Sequence, residues 1–76
     1  MKKPKIVLEV IREEEGFSAV ADIADKFIGT QGDNMEELKQ NILEVVNLTF
    51  SEDGFTYNMD EIELRLPIEK SATSLH

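Results

Sequence analysis

Hydrophobic and polar residues alternate from Lys5 to Arg12, with Ile6, Leu8 and Val10 on one side and Lys5, Val7, Glu9 and Ile11 on the other. A period of two is that of a strand with one buried face. Glu13-Glu14-Glu15-Gly16 breaks the pattern with charge and a glycine, which suits a hairpin loop of about three to five residues. Alternation resumes over Phe17 to Ile23: Phe17, Ala19, Ala21 and Ile23 share a face, opposite Ser18, Val20 and Asp22. Ala24-Asp25-Lys26 is a short connection, and Phe27 to Gln31 is a third strand of weaker pattern.

The period then changes. Met35, Leu38, Ile42, Val45, Val46 and Thr49 recur at steps of three and four, the stripe of a helix with one buried face. Glu36, Lys39, Gln40, Leu43, Glu44 and Asn47 are expected on the other side. Asn34 is a good N-cap, because its side-chain oxygen can accept from a free amide of the first turn. Glu37 stands three residues on, where it is expected to reach back to the Asn34 amide as in a capping box. Asp33, Glu36 and Glu37 suit the positive end of the helix dipole. The helix is predicted over Met35 to about Leu48. Ser51-Glu52-Asp53-Gly54 ends it, and Phe55 to Met59 is ambiguous, a segment that could lay Phe55 and Tyr57 on the core. Asp60 to Leu66 alternates strictly and predicts a last strand, with Pro67 expected to stop it for want of an amide donor.

The order is β-β-β-α-β, an α+β class: a three-stranded antiparallel meander, one helix, and a fourth strand returning parallel to an earlier one. Residues 1–70 are expected to form a single domain and Ser71 to His76 a flexible tail. One helix covers one face of such a sheet, and the small Ala19 and Ala21 would let it approach closely. On the other face Val7, Ile11 and Val20 would form an apolar patch suited to self-association.

The stretch Thr30-Gln31-Gly32-Asp33-Asn34-Met35-Glu36-Glu37-Leu38-Lys39-Gln40-Asn41 resembles the signature of the HicB antitoxin family: Gly-Asp-Thr, an apolar residue, Glu-Glu-Ala, then a helix containing Asn. Glu14-Glu15-Gly16-Phe17 is similar to that family's acidic-Gly-aromatic hairpin, and Val20-Ala21-Asp22-Ile23 to its second strand. The resemblance spans about residues 5–66. It implies a reduced RNase H-like fold with sheet order 3-2-1-4 and one helix, assembly into dimers or larger oligomers, and neutralisation of HicA, a small basic mRNA-cleaving toxin. Two departures stand out. Ile23-Ala24-Asp25-Lys26 replaces the family's Leu-Pro-Gly turn, and Ile68 to His76 is too short for the DNA-binding module that many members carry. Operator binding by this chain is therefore not expected.

Composition sharpens the picture. In 76 residues there are 16 acidic and 8 basic side chains, a formal net charge of −8. That balance repels nucleic-acid phosphates; it would either steer a basic partner inward or serve only to keep the chain in solution. A chain this short buries only roughly 60% of its unfolded surface, which favours association. With no cysteine, neither disulfides nor thiolate metal sites are available. The start, Met1-Lys2-Lys3-Pro4-Lys5-Ile6-Val7-Leu8, is broken by Glu9 before it makes a secretory apolar region. No stretch approaches the ~20 apolar residues of a membrane helix. A cytoplasmic protein without membrane association is expected.

Candidate chemistry is thin. Glu9, Glu44 and Asp60 are the carboxylates that could converge on metal ions as in a nuclease, yet they show no spacing signature. Solvated surface charge is the favoured reading of all three. Glu13-Glu14-Glu15 lacks the Asp/Asn alternation of a calcium loop. His76 is the sole histidine and the last residue; Ser18, Ser51 and Ser71 have no base beside them. No catalytic residue, metal or cofactor is expected. The leading function is binding of a HicA-like toxin by a charged, strand-edge surface, with Glu13, Glu14 and Glu15 on the hairpin and Asp22 and Asp25 beside it as contacts. The rivals are an orphan self-associating module of HicB type and a residual metal-dependent nuclease.

Overall fold

The computed structural model describes residues 3–69. Strands β1 (Ile6–Glu13), β2 (Gly16–Ile23) and β3 (Lys26–Gly32) form an antiparallel meander, followed by helix α1 (Met35–Phe50) and strand β4 (Ile62–Glu69). β4 pairs parallel to β1, so the four-stranded sheet has the order β3-β2-β1-β4. The expected class, element order and sheet order are those of the structure. The expected tail, Ser71 to His76, lies outside the described residues. No helix among these residues is long and apolar enough to cross a membrane.

The alternation in β1 sets the layers. Ile6, Leu8 and Val10 are buried beneath α1 and the segment that follows it, with Ala19, Ile23 and Ile28 from the neighbouring strands. From the helix come Leu38, Ile42, Val46 and Phe50, an i, i+4 row aimed at the sheet. Two glycines close one end. Gly16 takes φ +97° after Glu14 and Glu15, which keep negative φ, the arrangement of a type I turn with a G1 bulge. Gly32 lets the helix backbone pass close: a methyl group there would lie 2.5 Å from the Leu38 nitrogen.

Several expectations need correction. The helix runs two residues past Leu48, and its last residue, Phe50, is fully buried. Leu43 and Asn47 are half-buried rather than outward, because the segment after the helix folds back over that flank with Phe55, Tyr57 and Met59. The Tyr57 amide donates to Asn47 Oδ1 at 2.7 Å, and Asn47 Nδ2 donates to the Tyr57 carbonyl at 3.1 Å. The Tyr57 hydroxyl donates to the Pro4 carbonyl at 2.7 Å, and burial pushes its pKa up, so it stays a donor at neutral pH. Asn34 does cap α1, its Oδ1 accepting from the Glu37 amide at 2.8 Å. Glu37 Oε1, however, accepts from the Asp33 amide at 2.7 Å, one residue earlier than expected.

Asp60 stands in a 3-10 turn, Met59–Glu61, and the strand starts at Ile62. Glu61 there accepts from the Asn58 amide and from Lys3, and these bonds, the amide foremost, hold its carboxyl below the usual range. Pro67 does not stop β4, which continues to Glu69. β4 is an edge strand, and its register slips: Glu9 faces Arg65 while Ile11 faces Ile68, three steps against two. A bulge on an edge is where a strand tolerates proline.

The β2–β3 hairpin supplies a stability test. Ile23 pairs with Lys26 across a two-residue loop, and Ala24 and Asp25 both have positive φ, 52° and 67°. This is a type I′ turn, which favours Asn-Gly. The double change Ala24→Asn, Asp25→Gly should therefore stabilise by about 1 kcal/mol and raise Tm by roughly 4–8 °C. A scan showing equal or lower Tm would contradict the turn geometry.

Candidate functional site

The hairpin acids and the helix start are brought to one end of the sheet. Phe17 pairs with Gly32, and a methyl on Gly16 would lie 2.4 Å from the Gly32 carbonyl oxygen. Glu13, Glu14 and Glu15 on the hairpin thus neighbour Asp33, Glu36 and Glu37 at the start of α1, and all six are exposed. Glu13 accepts from the Ser18 hydroxyl at 2.9 Å. Of these six, Asp33, Glu36 and Glu37 were expected to serve the helix alone. Their distance in sequence from the hairpin hid the pole they build with it.

Asp22 and Asp25 are not beside that hairpin. They lie at the far end of β2 and in the turn after it, and the strand between spans roughly 23 Å. Alternating up-and-down strands put successive turns at opposite ends, which separates the two acidic groups. Lysines gather at that far end. Lys3 pairs with Glu61 at 2.9 Å, Lys5 with Glu63 at 3.5 Å and Lys26 with Asp53 at 3.7 Å. The hairpin end is thus an acidic pole of six carboxylates with Arg12 beside them, and the opposite end is net acidic too, with Asp22, Asp25, Glu52, Asp53, Asp60, Glu61 and Glu63 against Lys3, Lys5 and Lys26.

The sheet face away from the helix is open. Val7, Ile11 and Val20 are half-buried on it, as expected from the pattern. A shallow depression joins Val7 and Val20 with Phe27, Glu9, Asp22 and Arg65; Ile11 lies beyond Glu9 and outside it. Phe27, unremarked in the sequence, is 68% exposed there.

Glu9, Glu44 and Asp60 do not converge. Glu9 is on the open sheet face, Glu44 on the solvent side of α1, and Asp60 in the turn before β4. Among the described residues no group of three acidic or histidine side chains could hold a metal ion. What the described surface offers is charge, an open sheet face of mixed apolar and charged side chains, and two strand edges. No protein-family model, curated protein or solved structure matches this chain.

Proposed function

We propose that this chain is a protein-binding domain of the HicB antitoxin type, whose acidic pole takes a small basic toxin of the HicA kind. One observation carries the reading. The two stretches that resemble the family, Glu14-Glu15-Gly16-Phe17 and Gly32-Asp33-Asn34-Met35-Glu36-Glu37, are far apart in sequence and adjoin in space. The sheet order β3-β2-β1-β4 with one helix is also the order that the resemblance implies. Like charges held together at one pole repel, and a cationic partner relieves that repulsion while the field speeds its approach.

The reading is a binding protein rather than an enzyme. Its test is a titration of the intact chain with a purified HicA-type toxin. Binding should weaken as salt rises. The double reversal Glu14→Lys, Glu15→Lys should weaken it by about tenfold or more, while Asp22→Lys, Asp25→Lys at the far end should do less. No binding, or binding indifferent to salt and to the pole, would overturn the proposal. A self-associating module without a toxin is the second reading, favoured by the open sheet face and its exposed Phe27.

A further inference from the structure

The charged side chains of the open sheet face are of two kinds. Lys5 and Glu63 pair with each other at 3.5 Å. Glu9, Asp22 and Arg65 are exposed, and among the described residues their side chains have no ion pair or hydrogen bond. Glu9 faces Arg65 directly across β1 and β4, yet the two stand apart. All three border the shallow depression, together with Val7, Val20 and Phe27.

The register sets their spacing. Gly29, Val20, Glu9 and Arg65 run across the sheet, each opposite the next. Asp22 is two residues on from Val20, so it stands diagonal to Glu9, with roughly 7–8 Å between Cα atoms. It faces Phe27 across β2 and β3. Gly29 offers no side chain, and the Phe27 ring leans over it, its Cε2 3.1 Å from where a Cβ would stand. The rest of the ring is open to solvent. Asp22 on β2 and Arg65 on β4 are two strand spacings apart, roughly 10 Å across the sheet.

One class of ligand matches this pattern charge for charge. Glu9 and Arg65 present an anion and a cation side by side with room between them. The α-ammonium and α-carboxylate of a free amino acid are a cation and an anion side by side. Asp22 lies further across the face, beside an exposed aromatic ring, and such a pair takes an alkylammonium or a guanidinium by charge and by cation–π contact. Val7 and Val20 are half-buried between these groups, where the methylenes of a long side chain would lie. The three charged side chains carry one net negative charge, and a basic amino acid carries one net positive. The depression holds about 400 Å³, within the roughly 300–1,000 Å³ of small-molecule sites.

We propose that this depression binds a free basic α-amino acid, arginine or lysine, with its α-ammonium on Glu9, its α-carboxylate on Arg65 and its side-chain cation on Asp22 and Phe27. A leucine would leave Asp22 unmatched, and a glutamate would bring a second anion to it. The site is shallow and open, so the Kd should be on the order of 1 mM. It lies toward the end of the sheet away from the hairpin glutamates, and it does not depend on the toxin-binding reading.

An NMR titration of the intact chain with L-arginine tests it. The amide signals of Val7, Glu9, Val20, Asp22, Phe27 and Arg65 should shift together and saturate, while those of Glu14 and Glu36 at the acidic pole stay in place. Citrulline keeps the shape and loses the side-chain charge, arginine amide loses the carboxylate, and N-acetylarginine loses the ammonium. Each should bind at least about threefold more weakly. L-arginine should lose affinity to the same degree on Asp22→Asn and on Arg65→Gln, two exposed changes that leave Tm unaltered, and should keep it on Glu36→Gln. Shifts that never saturate, shifts centred on the hairpin end, or equal affinity for arginine and any of the three analogues would overturn the proposal.

Discussion

Replacing Phe50 with alanine should cost about 3–5 kcal/mol. Stability of roughly 0.05–0.15 kcal/mol per residue gives a domain of this size roughly 4–11 kcal/mol in all, so most of the margin would go. The side chain is fully buried at the last turn of α1, its ring 5.7 Å from that of Tyr57 and tilted by 59°. Lys26 stands 5.9 Å from its centroid. Phe50 thus joins three elements: the end of the helix, the start of β3 and the returning segment around Tyr57. The gap cannot collapse easily, because Tyr57 is pinned by Asn47 on one side and Pro4 on the other. Ile42→Ala, in the middle of the same row, should cost about 2–5 kcal/mol. Leu48→Ala, two residues from Phe50 but 67% exposed, should stay within about 0.5 kcal/mol in the monomer. Urea unfolding at low protein concentration measures all three. A loss at Phe50 no larger than at Leu48 would mean the helix ends before it packs.

Elements with local causes were legible in the chain. The period of two in Ile6, Leu8 and Val10 gave β1 its buried face, and the steps from Leu38 to Val46 gave α1 its stripe, since both depend on near neighbours. The first acceptor of the cap could be read from Asn34, because an N-cap is a local bond. The second arm missed by one residue, since Asp33 and Asn34 both offer amides and only the path of the chain leaving Gly32 selects between them. Pro67 misled because its cost depends on which side of the strand has a neighbour, and strand order is a property of the whole sheet. Asn47 looked like a surface residue by its place on the helical wheel. Its partner, the Tyr57 peptide, is ten residues away in a segment with no period of its own. The acidic pole was half visible: the hairpin glutamates were evident, and their union with Asp33, Glu36 and Glu37 needed the Gly16–Gly32 contact.

That contact region also yields the second large effect. Gly32→Ala should destabilise by about 3 kcal/mol or more, although exchanging glycine for alanine in a tolerant backbone stabilises by about 0.4–1 kcal/mol. The added methyl would lie 2.5 Å from the Leu38 nitrogen, 2.8 Å from its Cα and 3.0 Å from the Glu37 carbonyl carbon. Every one of these is backbone, so no rotamer change relieves the overlap. The start of α1 would have to back away from β3. That motion strains the Asn34 cap on Glu37, the bond from Asn41 to the Gln31 carbonyl, and the burial of Leu38 at once. Gly29→Ala in the same strand is the control. Its methyl would meet the edge of the Phe27 ring at 3.1 Å, and an exposed phenyl can swing aside. The two substitutions share their chemistry and their strand, so a difference in melting of the monomer isolates the close approach. Equal Tm values for the two variants would show that α1 does not lie against Gly32, and the acidic pole built on that approach would go with it.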